Sequence, residues 1–221
     1  MNNVDIKKIT VTGILMAIVV VLQFMGSFIK FGPFSISLVL IPIVVGAALY
    51  GPFVGALLGF TFGLVVIISG DAAAFLAVNV IGTFITVLSK GILCGLCSGL
   101  VYKSFKGNKT IGTILSAITC PIVNTSIFLL CCVVFFMPTI TEWANGLGFE
   151  SVGAYMIFGL VGANFLFELL TNAVLSPAII KIINLNWKLK FQFINQRKLS
   201  EFTLTIIDYY CVLSIHFMKW I

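Results

Sequence analysis

Polar side chains recur at helical spacing in three otherwise apolar stretches, and they offer the clearest chemistry in the sequence. The three sets are Asn79, Thr83, Thr86 and Lys90; Asn124 and Thr125; and Asn164, Glu168 and Asn172. At about 100° per residue, the first and the third set each fall on one face of a helix. Amides, hydroxyls, one ammonium and one carboxylate form hydrogen bonds and charge pairs, so these faces point at something other than lipid.

Lys90 and Glu168 are the charges that lie deepest in these stretches. The rise of a helix places them about 22 Å and about 20 Å from the outer ends of their spans, at depths where the two side chains can meet. A buried Lys90–Glu168 ion pair is therefore one candidate arrangement. Two interpretations of the polar faces stay open: structural contacts that hold helices together, or a site for a polar solute, which intramembrane charges more often mark.

Motifs for covalent or metal chemistry are missing from the sequence. It has no GxxxxGK[ST] loop for nucleotide hydrolysis and no GxSxG for acyl transfer, and its single histidine, His216, excludes a histidine-rich zinc site. Cys94 and Cys97 have redox spacing, but free cysteine in an apolar stretch usually behaves as a small apolar residue. We therefore expect no catalytic residue, metal site or cofactor, and a membrane thiol oxidoreductase is the least favoured alternative.

The elements that position these residues must lie in a membrane. Only 9% of the 221 residues are charged, against about 25% in soluble domains. The mean hydropathy is +1.18. The net charge of +6 does not indicate a nucleic-acid partner, because no basic face with interleaved aromatic residues lies on a soluble core. The composition predicts an all-α membrane protein surrounded by lipid.

Six apolar runs approach or reach the length of a membrane-spanning helix. They cover about residues 9–29, 37–50, 52–69, 75–101, 111–137 and 155–183. Threading them alternately through a bilayer collects most lysine and arginine residues on one side, which the positive-inside rule assigns to the cytoplasm. We expect a six-helix domain, residues 1–183, with both termini cytoplasmic.

Residues 184–221 do not continue the pattern and are interpreted as a separate C-terminal tail. Its first part, residues 184–200, mixes aromatic and basic side chains, which suits a helix at the inner membrane surface. Residues 202–221 are long enough to cross the membrane but include Asp208, His216 and Lys219, which are costly to bury in lipid. A peripheral hairpin is favoured over a seventh span, and both stay open.

Small residues at four-residue spacing mark surfaces where helices approach closely. The sets are Gly13 and Ala17; Gly55, Gly59 and Gly63; and Gly91, Gly95 and Gly99. The last set lies opposite the polar face of the same helix, so this helix combines a packing edge with a polar edge. The spacing does not choose between contacts inside the chain and contacts between subunits.

Three motifs in this order carry a resemblance to a known family. They are LIPIVVG at 40–46, YGPFVGALLG at 50–59 and NAVLSP at 172–177. With a short outer loop at Lys30–Pro33 and polar faces confined to helices four to six, the chain resembles a substrate-binding S component of an energy-coupling factor (ECF) vitamin transporter over about residues 8–183. The resemblance implies import of a water-soluble vitamin or cofactor precursor across a prokaryotic plasma membrane.

The resemblance also implies where the ligand and the partners bind. In this family helices four to six surround a pocket near the outer face, closed by the first and third outer loops. The matching positions are Asn79, Thr83, Asn124, Asn164 and Glu168. Small residues of the first helix dock on a transmembrane T subunit, here at Gly13 and Ala17, and two ABC-type ATPase subunits supply the energy. Alanine is usual where this chain has Gly13.

Loop residues and aromatic residues are further candidates around such a pocket. Asp71 and Glu142 are candidate gate residues. Four aromatic residues lie toward the outer side, where they either stack on a flat ligand ring or anchor the helices at the membrane interface: Phe31, Phe34, Phe75 and Trp143.

Pantothenate suits an amide-rich pocket with one cation, and riboflavin would use the same asparagines at its ring edge, so both are favoured cargoes. The alternative from another functional class is a non-transporting membrane scaffold.

Overall fold

The computed structural model describes residues 3–27, 30–31, 34–35, 38–105 and 107–192. Its helices are α1 (Asn3–Ser27), α2 (Leu40–Tyr50), α3 (Pro52–Ile68), α4 (Ala73–Leu76), α5 (Val80–Ser104), α6 (Lys109–Phe135), α7 (Met137–Gly146), α8 (Val152–Ala154), a π-helix (Tyr155–Gly162) and α9 (Ala163–Gln192). A two-residue antiparallel pair, β1 (Lys30–Phe31) and β2 (Phe34–Ser35), follows α1. Gly32, Pro33 and the tail from residue 193 onward lie outside the described residues.

Four of the described helices are long and apolar enough to cross a membrane. They are Lys8–Ser27, Val80–Ser104, Lys109–Phe135 and Asn164–Asn184. Three further apolar helical segments are shorter: Leu40–Tyr50, Pro52–Ile68 and Val152–Gly162. Helices α2 and α3 extend only roughly 16 Å and 25 Å, against a hydrocarbon core of about 30 Å. The helical membrane fold is confirmed, and the count of six spans stays a prediction.

Helix α2 lies inside the bundle. Residues Leu40–Ala48 are all buried, and the helix packs against α1, α3, α5 and α6. It ends at Gly51, whose φ of 98° is a conformation that glycine adopts without the steric cost of a Cβ. Pro52 then begins α3 at a position where the missing N–H costs nothing.

Helices α3 and α5 pack together through their glycines. A Cβ on Gly59 would overlap the carbonyl oxygen of Gly91, and a Cβ on Gly55 would overlap that of Gly95. A Cβ on Gly99 would lie 2.6 Å from the Cα atom of Pro52, which is also closer than atoms can pack. The prediction that these two glycine sets mark helix contacts is confirmed, and the contacts lie within the chain.

Helix α5 begins later than the sequence indicates, because Asn79 caps it. The Asn79 backbone is extended (φ −150°, ψ 102°), and its Oδ1 accepts a hydrogen bond of 2.9 Å from the backbone N–H of Gly82. Asparagine is a strong N-cap residue because its side chain satisfies an N–H that the first helical turn leaves unpaired. The prediction that Asn79 belongs to the helical face that carries Lys90 is therefore wrong.

The last predicted span is not one regular helix. Helix α8 leads into the π-helix, and α9 follows at Ala163. The wider π-helical turns therefore come just before the part of α9 that carries Asn164 and Glu168. Such turns are rare in proteins and often lie at functional sites.

Candidate functional site

A cavity that is partly open to solvent lies where the polar helix faces meet. The polar part of its lining consists of Gln23, Asp71, Thr83, Thr86, Lys90, Asn124, Thr125, Asn164 and Glu168. The apolar part consists of Phe62, Val66, Ala72, Phe75, Val87, Phe128, Phe136, Leu160 and Val161. Ligand pockets for small molecules usually combine apolar walls with a few polar groups. This cavity has such a lining.

The α5 wall presents two buried threonines to the cavity. The Thr83 hydroxyl donates to the carbonyl oxygen of Asn79 at 2.7 Å, and the Thr86 hydroxyl donates to that of Gly82 at 2.7 Å. Both side chains are almost fully buried. Because their protons are already used within the helix, the hydroxyl oxygens are left as acceptors for a ligand N–H or O–H.

The α6 and α9 walls meet at the carboxylate of Glu168, which is 2% exposed. Its Oε2 accepts a hydrogen bond from Nδ2 of Asn124 at 3.4 Å, and its Oε1 accepts one from Nδ2 of Asn164 at 3.3 Å. Asn164 lies one turn before Glu168 on α9, and Asn124 reaches it from α6. The Oδ1 atom of Asn124 is buried and has no hydrogen-bond partner within the described chain. The three residues form a compact group of acceptors and amides.

No direct salt bridge joins Lys90 and Glu168 in the described structure, although their opposite charges attract each other. The Lys90 ammonium nitrogen lies 5.5 Å from the ring centroid of Phe62 and 5.4 Å from that of Phe128, within range of cation–π attraction. The Glu168 oxygens are instead occupied by asparagine amides. Both charged side chains nevertheless line the same cavity.

Four of the five residues predicted to bind substrate line this cavity: Thr83, Asn124, Asn164 and Glu168. The fifth, Asn79, is outside the lining because its side chain caps α5. Asn172, on the predicted polar face of α9, is also outside the lining, and its Nδ2 donates to the carbonyl oxygen of Glu168 at 2.8 Å.

Gln23 of α1 is a cavity residue that sequence reasoning missed. Its Nε2 donates to Oδ2 of Asp71 at 2.6 Å, and the Ser69 hydroxyl donates to the same oxygen at 3.3 Å. Gln23 is 2% exposed although it is in a strongly apolar helix. A lone glutamine in an apolar run is the signal that could have found it, because burying an amide in lipid or in a core requires a partner.

Aromatic rings close part of the cavity around Phe75. Edge-on contacts join Phe75 to Phe136, Trp143 and Phe128, with centroid distances of 5.0, 5.6 and 5.7 Å. Phe75, Phe128 and Phe136 line the cavity. Of the four outer aromatics singled out from the sequence, Phe75 and Trp143 thus meet here, and the side chains of Phe31 and Phe34 are outside the described structure.

Other candidate residues lie away from the cavity. Gly13 and Ala17 are exposed on α1, and a Cβ on Gly13 would meet no atom within 4 Å. Glu142 is exposed on α7. Cys94 and Cys97 are free, and the Cys94 thiol donates to the carbonyl oxygen of Gly91 at 3.1 Å.

These features define the class of the protein: a helical, multi-pass membrane protein with a polar cavity suited to a small solute. Residues 7–183 match the family model "ECF transporter, substrate-specific component", and the chain belongs to this family. The resemblance predicted from the sequence is confirmed. A search of curated proteins found no match. The family consists of substrate-binding transporter subunits that work with T and ATPase modules, and it is not a family of enzymes.

Proposed function

We propose that this chain captures a water-soluble vitamin or cofactor precursor in the cavity between α5, α6 and α9. The observation that carries the proposal is the convergence of three polar helix faces on one cavity in an otherwise apolar chain. Polar groups are costly in a membrane and are retained where they bind something. Pantothenate and riboflavin are the two candidate cargoes.

The proposed ligand contacts are Thr83, Asn124, Asn164 and Glu168. Ligand hydroxyl or amide N–H groups would donate to the threonine oxygen and the carboxylate, each of which has spare acceptor capacity. The Oδ1 atom of Asn124 gains a donor if the ligand reaches it, which relieves the cost of a buried, unsatisfied polar atom. Phe75 and Phe136 supply apolar surface on another wall, and Asp71 is a gate residue in this proposal.

In the membrane, the proposed arrangement has six spans with both termini in the cytoplasm of a prokaryotic cell. The support is the charge distribution, since the loops assigned to the cytoplasm hold most of the lysine and arginine residues. Helices α2 and α3 are short for spans, but they are covered by neighbouring helices on much of their surface. Non-ideal elements are tolerated at membrane depth where protein surrounds them.

Energy coupling is proposed to use a T subunit and two ABC-type ATPase subunits. The T subunit would dock on α1 at Gly13 and Ala17, because both residues are exposed and small residues allow two helix backbones to approach closely. No nucleotide-binding motif occurs in this chain, so the nucleotide must bind elsewhere in such a complex.

The test is a vitamin titration of the full chain purified in detergent. A panel of B vitamins is screened by thermal shift, because a ligand at 100 times its Kd stabilises the folded state by about 2.7 kcal/mol. We expect one vitamin to bind tightly. Asn164→Ala and Glu168→Ala should weaken its binding about 10- to 100-fold, the loss expected for hydrogen bonds that involve a charged group.

Asn145→Ala is the matched control, because Asn145 is an exposed asparagine on α7. It should bind like the wild-type protein. If a folded wild-type sample binds no vitamin, the proposed function is wrong. If a vitamin binds and both Asn164→Ala and Glu168→Ala keep wild-type affinity, the function stands and the site is wrongly assigned.

A further inference from the structure

We infer that the ligand carries an acidic group, such as a carboxylate, that binds the ammonium group of Lys90. This inference rests on the proposed function and narrows it to a class of substrate. It depends on the hydrogen bonds of the cavity, in which the Lys90 ammonium is a donor group that finds no acceptor within the described chain.

The Lys90 ammonium has three N–H donors, and no hydrogen bond from it is formed in the described structure. Its neighbours are the faces of Phe62 and Phe128, which attract the positive charge but supply no lone pair. The side chain is partly buried and lines the cavity, where a ligand can reach it. A desolvated cation of this kind is stabilised by a paired anion that also accepts its hydrogen bonds.

Two carboxylates line the same cavity, and protein donors already occupy them. Glu168 accepts hydrogen bonds from Asn124 at 3.4 Å and from Asn164 at 3.3 Å. Asp71 accepts a hydrogen bond from Gln23 at 2.6 Å. The protein thus supplies hydrogen-bond donors to both carboxylates and no acceptor to the ammonium. A ligand acid would supply acceptor atoms whose charge is opposite to that of the ammonium.

The surroundings of Glu168 select the rest of the ligand. Around Glu168, the carboxylate has spare acceptor sites and Oδ1 of Asn124 has no partner, so hydroxyl or amide N–H groups fit there. A matching ligand combines an acid with hydroxyl or amide groups. Pantothenate has this pattern, whereas riboflavin carries no acid, so the inference favours pantothenate of the two.

The experiment compares acids with uncharged partners of nearly the same shape. The probes are pantothenate with pantothenol, biotin with biotinamide, nicotinate with nicotinamide, and riboflavin and thiamine as single ligands, titrated onto the full chain in detergent. One acid should bind about 10- to 100-fold more tightly than its uncharged partner, as expected for a charge-assisted hydrogen bond. Lys90→Gln should reduce that acid to the affinity of its partner and leave the partner unchanged.

Two further variants make the result specific. Lys90→Arg keeps the charge and should keep a preference for the acid, which also covers the case in which Lys90→Gln fails to fold. Lys103→Gln removes an exposed lysine at the end of the same helix and should behave like the wild-type protein.

Two results would overturn the inference while the proposed function stands. One is tight binding of riboflavin or thiamine. The other is a vitamin that binds equally well as acid and uncharged partner, with no effect of Lys90→Gln. Failure of the folded wild-type protein to bind any probe contradicts the proposed function itself, and the inference with it.

Discussion

Replacing Gly13 or Gly59 with leucine should have opposite consequences, although both glycines belong to stripes of small residues. Space beside Gly13 is open, and leucine has a better helix propensity than glycine by roughly 0.7 kcal/mol, so Gly13→Leu should not destabilise the chain. A Cβ on Gly59 overlaps the carbonyl oxygen of Gly91. Gly59→Leu must push α3 away from α5, and overpacking of this kind costs about 1–3 kcal/mol. The resulting fall in Tm should be about 2–12 °C for a chain of this length.

The assay combines thermal unfolding of each variant in detergent with copurification of coexpressed T and ATPase subunits. Gly13→Leu should keep the wild-type Tm and vitamin affinity but lose the T subunit, because the leucine side chain fills the proposed docking surface. Gly153→Leu is the control, since Gly153 is exposed and equally open. Retention of the T subunit by Gly13→Leu would refute the docking surface. A wild-type Tm for Gly59→Leu would refute the close contact between α3 and α5.

Two further predictions separate structural from binding roles. Asn79→Ala should lower the free energy of unfolding by about 1 kcal/mol and leave vitamin affinity unchanged, because Asn79 caps α5 outside the cavity lining. Unfolding and vitamin titration of the same variant test this. Weaker vitamin binding at unchanged stability would instead show that Asn79 belongs to the binding site. Trp143 contacts Phe75, which lines the cavity, so bound vitamin should change tryptophan fluorescence and Trp143→Phe should remove that change. If the change persists in Trp143→Phe, it arises from Trp187 or Trp220 and the contact does not report on the site.

Helical periodicity was sufficient to predict that α5 and α9 each turn a polar face to a common site. Thr83 lies one turn before Val87 and two turns before Lys90 on α5, and Asn164 lies one turn before Glu168 on α9. Such spacing puts side chains on one face whatever the tertiary structure, so the two faces could be identified without it. The glycine sets on α3 and α5 were predictable for the same reason, although their pairing with each other required the fold.

Competition between neighbouring groups explains why Asn79 and Glu168 have partners that the spacing does not indicate. Asn79 fits the helical spacing, but an asparagine near a helix start gains more by capping the first turn than by extending the helix. Lys90 and Glu168 lie at similar depth, but depth along the membrane does not specify which groups surround each side chain. Asn164 on the same helix and Asn124 across from it supply the nearer partners for Glu168.

The walls contributed by α1 and α3 could not be predicted from polar spacing. Phe62 reads as one more apolar residue in an apolar helix, and only the fold shows that its ring lies beside the Lys90 ammonium. Gln23 stands out in the sequence as an amide near the C-terminal end of the apolar helix α1. Its partner, Asp71, follows α3 and is 48 residues away in the chain, so the pairing itself could not be predicted. Pairings at such separation depend on how the helices pack.

Packing and binding are linked through the two faces of α5. Lys90 and Gly91 are adjacent in the chain, and Gly91 is the residue whose carbonyl oxygen lies against Gly59 of α3. Phe62, which supplies a ring to the Lys90 ammonium, follows Gly59 by three residues and therefore lies within one turn of it on α3. The glycine contact thus sets how closely α3 approaches α5 beside the lysine, and the phenylalanine from the same turn places its ring centroid 5.5 Å from the lysine ammonium. The close contact at Gly91 on one face of α5 therefore brings the apolar wall of α3 up to Lys90. In the proposed site, this is what allows Lys90 to select an acidic ligand.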